Sequence, residues 1–310
     1  MGQAMGAWWT SRNPNALSPF DSLSDEEVID MLEHFDFSSE TAAGVLGPRG
    51  QHSPVYRFTV DTILKCVWTE TPHEPYIMSL VSSQTSVRVP KVRRYFRWQG
   101  RLCIFMELVD GVDLVTAWPS LSLWRRLGVI WTIRRYIWQL RRVKLPNEQT
   151  PGPFDGSGVP ILCEGRAFTE NGAGPFATYG DMSKWFERKL LITIDATKDT
   201  EPSPSPRDDI HFDDSMPLVL THGDISLWNI RLDRDGAVWL IDWGRSGAFP
   251  QWFEYSGIVA YDDGRPMPKL WLRSAWFMAG RYASQHAFLD RIEFALTMWA
   301  MDLPPNHPNA

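Results

Sequence analysis

The chain has 310 residues, 44% of them hydrophobic, enough for a sizeable core and for two lobes sharing a cleft. A formal net charge of −6 argues against nucleic acid as the main partner and favours a cationic or neutral small molecule. A membrane is also disfavoured: the richest apolar stretch, 121–140, is interrupted by Arg125, Arg126, Arg134 and Arg135, and no basic-then-apolar signal peptide is visible.

The opening MGQAMG has Gly at position 6, where a myristoylation signal has Ser or Thr. Cys66, Cys103 and Cys163 are odd in number, widely spaced and set in apolar runs. They read as reduced, buried thiols in a cytoplasmic protein. The sixteen Trp suggest an aromatic core or aromatic-lined surfaces.

In chain order, residues 1–22 show no period and read as a loosely ordered arm. Ser24-Asp25-Glu26-Glu27 is a capping box ahead of Val28, Ile29, Leu32 and Phe35, so a short helix is expected to about His34, with a second from about Ser38. Gly44, Gly47 and Gly50 are spaced by three, unlike a G-x-G-x-x-G loop. Two strands follow, VYRFTV and TILKCVW. Lys65 sits among core residues of the second and needs an anionic partner. Glu74 opens the next helical segment, which carries Ile77, Met78, Leu80 and Val81. The two can be partners, or simply an edge-strand Lys and a first-turn Glu.

A turn at Gln99-Gly100 should join a strand to a stronger one over 102–108. Leu123, Leu127, Ile130, Ile133, Ile137 and Leu140 follow a 3-4 spacing, which predicts an amphipathic helix over 121–143. Its Arg pairs fall on the other face, a solvated surface or, alternatively, a polyanion-binding one. Residues 145–160 read as a Pro/Gly linker, and 183–191 as a helix. The stretch 197–216 is a polar, acidic insertion. It is a surface loop, or a flap whose Asp208, Asp209, Asp213 and Asp214 face a cation. Residues 270–302 are helical and aromatic, and are expected to pack the larger lobe.

The most informative stretch is 220–254, LTHGDISLWNIRLDRDGAVWLIDWGRSGAFPQWFE. Short apolar runs at 230–232 and 237–241 flank Asp235-Gly236, a two-residue hairpin signal. With those two at the tip, Asn229 is expected opposite Asp242, with Asp224 a few residues upstream of the same open end. Two hard oxygen ligands beside a further carboxylate suit Mg²⁺, which takes few protein ligands plus substrate phosphates.

HGDISLWN followed by LIDW resembles the catalytic and metal segments of the aminoglycoside phosphotransferase and choline kinase-like family, and GRSGAFPQWFE and Gly172–Phe176 (GAGPF) resemble its fungal-type members. The resemblance covers roughly 44–300 and is strongest over 221–254. It implies an α+β, two-lobed protein-kinase-like fold: an arm over 1–43, a small antiparallel-sheet, nucleotide-binding lobe over 44–108 and a mainly helical catalytic and acceptor-binding lobe over 109–310. It implies ATP and Mg²⁺ as cofactors and transfer of the γ-phosphate to a small-molecule hydroxyl. Asp224 then matches the catalytic base, and Asn229 and Asp242 the Mg²⁺ ligands. Lys65, fixed by Glu74, matches the phosphate-binding Lys. Met-Glu-x-x-x-Gly at 106–111 matches the interlobe hinge, so the Glu107 carbonyl and the Val109 N–H are the expected adenine contacts. Gly50 to Ser53 is the candidate for lying over the phosphates, with a plain hairpin turn as the other reading.

Gly223 stands where protein kinases have Arg, Trp243-Gly244 replaces their Phe-Gly, and no APE segment follows. A peptide acceptor is therefore disfavoured. Gly244 also departs from the fungal IDWE pattern, with no metal ligand lost. Two rivals keep the fold without phosphate transfer: a pseudokinase or binding protein, and an enzyme recruited to specialised metabolism.

Overall fold

Alternation along two strands decides which side chains reach the cleft. The computed structural model of the chain describes residues 18–37, 55–69, 71–198, 210–260 and 267–297. The first lobe comprises α1 (Asp25–Glu33), β1 (Val55–Arg57), β2 (Thr62–Val67), α2 (His73–Gln84), β3 (Val92–Trp98) and β4 (Arg101–Glu107). The strands form one antiparallel sheet in the order β1-β2-β4-β3. Leu64 and Cys66 of β2, with Cys103 and Phe105 of β4, pack with Phe20, Val28 and Leu32 on the α1 side. Ile63, Leu102, Ile104 and Met106 face the other way and pack with Ile77, Met78 and Val81 of α2. Lys65 shares the parity of Ile63 and therefore points to the α2 side.

The capping box at Ser24 and Glu27 is present, with both reciprocal bonds made. The β3–β4 turn is the expected Gln99-Gly100, both with positive φ (48° and 77°), as a two-residue type I′ hairpin requires. Cys66, Cys103 and Cys163 are buried, unbridged thiols. Cys66 lies directly opposite Cys103 across the β2–β4 ladder.

The second lobe adds β5 (Gly111–Asp113), α3 (Leu114–Ala117), α4 (Leu123–Leu140), α5 (Tyr179–Thr197), β6 (Leu218–Thr221), β7 (Ile230–Asp233), β8 (Val238–Leu240), β9 (Gly247–Pro250), α6 (Phe253–Val259), α7 (Lys269–Ala279) and α8 (Ala283–Thr297). Two small antiparallel sheets, β5-β7-β8 and β6-β9, hold the two loops of interest. The loop 222–229 runs from β6 to β7, and 241–246 from β8 to β9.

Several expectations are corrected. Leu123 and Leu127 of α4 are exposed, as are Trp124, Trp131 and Trp138; the helix is apolar nearly all round, and it buries only the stripe from Val129 to Leu140. Its arginines are not simply solvated. Arg126 donates to the Trp118 and Pro119 carbonyls, and Arg134 donates to the Phe277 carbonyl. The α5 helix starts earlier than expected because Thr178 and Asp181 form an N-terminal capping box. The segment expected as helix over 270–302 breaks at Gly280, whose φ of 118° stops α7. Trp271 and Phe288 are fully buried there, but Trp276 and Phe294 are exposed. The helix expected from Ser38, the spaced glycines 44–50 and the middle of the acidic insertion lie outside the described residues.

Ile133→Ala should lower unfolding stability by about 2–5 kcal/mol, as large-to-small core substitutions do. Trp124→Ala on the opposite face of α4 should stay within about 0.5 kcal/mol of wild type. Denaturant unfolding of both variants checks this.

Candidate active site

The site begins with a lysine that burial makes dependent on its neighbours. Lys65 is 8% exposed. Its Nζ donates to Glu74 Oε1 at 2.8 Å and to Asp242 Oδ1 at 2.8 Å. Burial works against the ammonium, but the Asp242 and Glu74 carboxylates outweigh it and hold its pKa above the ordinary lysine value. For Asp242, burial is the largest influence and acts upward, but the charge and hydrogen bond of Lys65 together with the more distant Arg245 outweigh it, so the pKa lies below the usual carboxylate range. Three elements meet here: β2 brings Lys65, the first turn of α2 brings Glu74, and the loop after β8 brings Asp242.

The β7–β8 hairpin delivers Asp242 in a register that differs from the expected one. Ile230 pairs with Leu240, Arg231 with Trp239 and Leu232 with Val238, so the partner of Asn229 is Ile241. The Ile241 N–H donates to the Asn229 carbonyl at 3.0 Å. The loop carries one extra residue. Gly236 N–H closes on the Asp233 carbonyl at 2.9 Å, and Gly236 takes φ 76°, the type I turn plus left-handed residue of a three-residue hairpin. Asp233 explains the choice: its carboxylate accepts from the N–H groups of Asp235 and Ala237 and from Trp239 Nε1. Asp242 then adopts φ 62°, a left-handed backbone that Asp tolerates better than most residues. That turn brings its carboxylate onto Lys65.

The second loop carries Asp224 and Asn229. Asn229 Nδ2 donates to the Asp224 carbonyl and to Asp224 Oδ2, both at 2.9 Å. Arg245 Nη1 donates to the same Oδ2 at 3.1 Å, and Arg166 Nε lies 4.0 Å from Oδ1. Gly223 takes φ 77°, and a Cβ there would stand 2.6 Å from the Arg245 carbonyl oxygen; only glycine fits this position.

The loop is held from beneath. His222 is fully buried, its Nδ1 accepts the Asp224 N–H at 3.3 Å, and Nε2 donates to the Ile241 carbonyl at 3.1 Å. Burial keeps its pKa below the ordinary value, and the ring stays neutral. Glu254, from the first turn of α6, accepts the His222 N–H at 2.8 Å and the Gly223 N–H at 3.3 Å. His73 Nε2 bonds the Gly244 carbonyl at 3.0 Å, which ties α2 to the turn beyond Asp242.

The structure thus groups Lys65 with Glu74 and Asp242, and Asp224 with Asn229. Bonding of Asn229 Nδ2 to Asp224 turns the amide oxygen Oδ1 away from that contact. The Asp242 side chain is 39% exposed; an amide oxygen and a carboxylate are both hard donors of the type that Mg²⁺ takes together with phosphates. Among the described residues no cluster of three or more His, Cys, Asp or Glu forms a metal cage. Glu107 ends β4, where its N–H donates to the Lys91 carbonyl at 2.9 Å, and Val109 is buried just beyond. Gly50 and Ser53 lie outside the described residues. The sequence alone assigns no role to Arg166, Arg245, His73 or Glu254. Glu254 carries a usable signal, a carboxylate in the aromatic-rich run FPQWFEY; the two arginines and His73 carry none.

Burial pushes the Glu254 carboxyl up, from an ordinary 4.5 to about 7. Between those values the unfolded chain sheds a proton that the folded chain keeps, so stability falls as pH rises through that window. Glu254→Gln should flatten this part of the stability–pH profile, measured by denaturant unfolding from pH 4 to 8.

No protein-family model matches the chain and no curated protein matches it in sequence. Solved structures do match. Aminoglycoside phosphotransferase APH(4)-Ia superimposes with a TM-score of 0.53 at 15% identity, over 87% of this chain and 89% of that one. The gentamicin complex of APH(2″)-IIa gives 0.50 at 10% identity, over 87% and 85%. ADP-bound APH(2″)-Ib gives 0.50 at 10% identity, over 88% and 92%. At these identities the likeness is one of architecture. The chain has the fold of the aminoglycoside phosphotransferases, an α+β protein-kinase-like fold with a small sheet lobe and a mainly helical lobe.

Proposed function

We propose that the chain is an ATP- and Mg²⁺-dependent phosphotransferase that moves the γ-phosphate of ATP to a hydroxyl of a small molecule. The observation that carries this is the Lys65 ammonium bonded at once to Glu74 and Asp242, with the Asp224–Asn229 pair on the neighbouring loop. Phosphoryl transfer asks a protein mainly for positioning and charge neutralisation, and these side chains offer both. Lys65, oriented by Glu74, binds the α- and β-phosphates. Asn229 and Asp242 are the side chains that would hold Mg²⁺, which supplies neutralisation of the phosphate charge. Asp224 orients the acceptor hydroxyl and takes its proton.

Gly50 to Ser53 would cover the phosphates, and the Glu107 carbonyl and Val109 N–H would pair with adenine. In this reading residues 44–108 bind the nucleotide and 109–310 bind the acceptor. The ADP-bound and gentamicin-bound neighbours support a nucleotide with a small-molecule acceptor. No described helix is long and apolar enough to cross a membrane, and three unbridged thiols fit a reducing compartment such as the cytoplasm.

A ligand that binds only the folded state raises stability by mass action, by about 2.7 kcal/mol at a hundred times Kd. ATP should raise the melting temperature of the wild type, more so with Mg²⁺, and the Mg²⁺ increment should vanish in Asp242→Ala. No shift with any nucleotide would contradict the proposal.

A further inference from the structure

Two guanidinium groups bracket the carboxylate that would take the acceptor's proton. Arg245 Nη1 is 3.1 Å from Asp224 Oδ2 and Arg166 Nε is 4.0 Å from Oδ1. Their side chains are 31% and 24% exposed, against 13% for Asp224. The guanidinium groups are therefore more accessible to a ligand in solution than the carboxylate they bracket.

Arg245 is held in place by backbone. It occupies a turn in which the Ser246 N–H closes on the Trp243 carbonyl at 3.0 Å, and Trp243 beneath is fully buried. The Arg245 carbonyl presses on Gly223, and its aliphatic stem packs on Gly165, where a Cβ would stand 3.4–3.9 Å from Cδ, Cγ and Cβ. Both glycines have positive φ, 77° and 120°. The stem thus runs through a slot between two loops that leave out side chains, and the charged end is aimed at the carboxylate.

We infer that the acceptor, unlike the cationic or neutral one that the net charge of the whole chain favours, carries an anionic group, a carboxylate or a phosphate, close to its reacting hydroxyl, and that Arg245 with Arg166 selects it. The inference rests on the phosphotransfer reading of the site. Two guanidinium groups against the one Asp224 carboxylate leave this end of the site net positive, which disfavours an ammonium next to the hydroxyl. An anion there can take the place that Asp224 now holds through a single bond to Arg245 Nη1, and can engage the guanidinium with two oxygens, as carboxylates and phosphates both do. Each contact spans about 2.8 Å, which sets anion and hydroxyl a few bonds apart.

The exchange also prepares the base. While Arg245 is bonded to Oδ2, that oxygen is committed. Once the acceptor's anion draws the guanidinium off, Oδ2 keeps only the Asn229 bond and can receive the proton. The hydroxyl oxygen then bonds the γ-phosphorus, the bond from that phosphorus to the bridging β–γ oxygen breaks, the proton passes to Asp224 and ADP leaves.

Four small alcohols of similar skeleton test this: glycerate, glycerol 3-phosphate, uncharged glycerol, and serinol, which carries an ammonium. Binding by calorimetry needs no turnover. The wild type should bind at least one of the two anions tenfold or more tighter than serinol or gentamicin. Preference for glycerate or for glycerol 3-phosphate names the anion. Arg245→Gln should lose that preference tenfold or more, and Arg245→Lys should keep part of it, each with a wild-type circular dichroism spectrum. Tighter binding of serinol or gentamicin, no binding of either anion, or an unchanged preference in Arg245→Gln would overturn the inference. Anion binding in a protein that shows no nucleotide-induced thermal shift would instead overturn the phosphotransfer reading and leave the anion site standing.

Discussion

The site depends on one shared ammonium. Lys65 bonds a carboxylate from α2 and a carboxylate from the loop after β8, so a single buried charge joins the two lobes. An unpaired buried lysine would be costly and would shed its proton; with two carboxylates it stays charged, and the trio carries a net charge of −1. Removing either acid leaves the group out of balance, and removing the lysine leaves two carboxylates facing each other. This mutual dependence explains why Asp242 accepts a left-handed backbone, a conformation that costs on the order of 1–3 kcal/mol where the surroundings do not demand it. The excess negative charge suits a divalent cation with its phosphates.

The neighbouring loop is fixed by different means. Lys65 acts through charge, whereas the backbone of residues 222–224 is set by hydrogen bonding and fit: an uncharged His222 bridging to Ile241, a buried Glu254 accepting two backbone N–H groups, and Gly223 clearing the Arg245 carbonyl. Because the same turn holds Arg245 and borders Lys65, Glu74 and Asp242 through Gly244, the Lys65 cluster and the Asp224 loop share one wall. Preorganisation of this kind is what transfer reactions draw on, since the donors and the base need not rearrange as charge develops.

Much of the architecture was legible because local chemistry and tertiary packing agree. The capping box at Ser24, the Gln99-Gly100 hairpin and the apolar strand around Lys65 each specify their own geometry. The motif from His222 to Asp242 announced itself through residue types at strand ends. Where the reading failed, a contact outside the pattern decided the outcome. The carboxylate of Asp233 captured two backbone N–H groups and lengthened the hairpin by one residue, which moved the partner of Asn229 from Asp242 to Ile241. On α4 the sequence offers two apolar faces, and only packing selects between Ile133 and Trp131. Arg166 and Arg245 are far apart in sequence from each other and carry no spacing signal, so their convergence on Asp224 is visible only in three dimensions.

Transfer of label reads out whether this constellation moves a phosphoryl group with Asp224 as the base, as proposed. ATP labelled at the γ-phosphate is incubated with the protein, Mg²⁺ and a panel of small hydroxyl compounds, in the wild type and in Asp224→Asn. With Asp224 as the base, the wild type should give an organic product bearing the label, with the rate reduced about 100-fold or more in the variant, the range expected for loss of a general base. Undiminished transfer by Asp224→Asn, or label released only as inorganic phosphate by the wild type across the whole panel, would contradict the proposal.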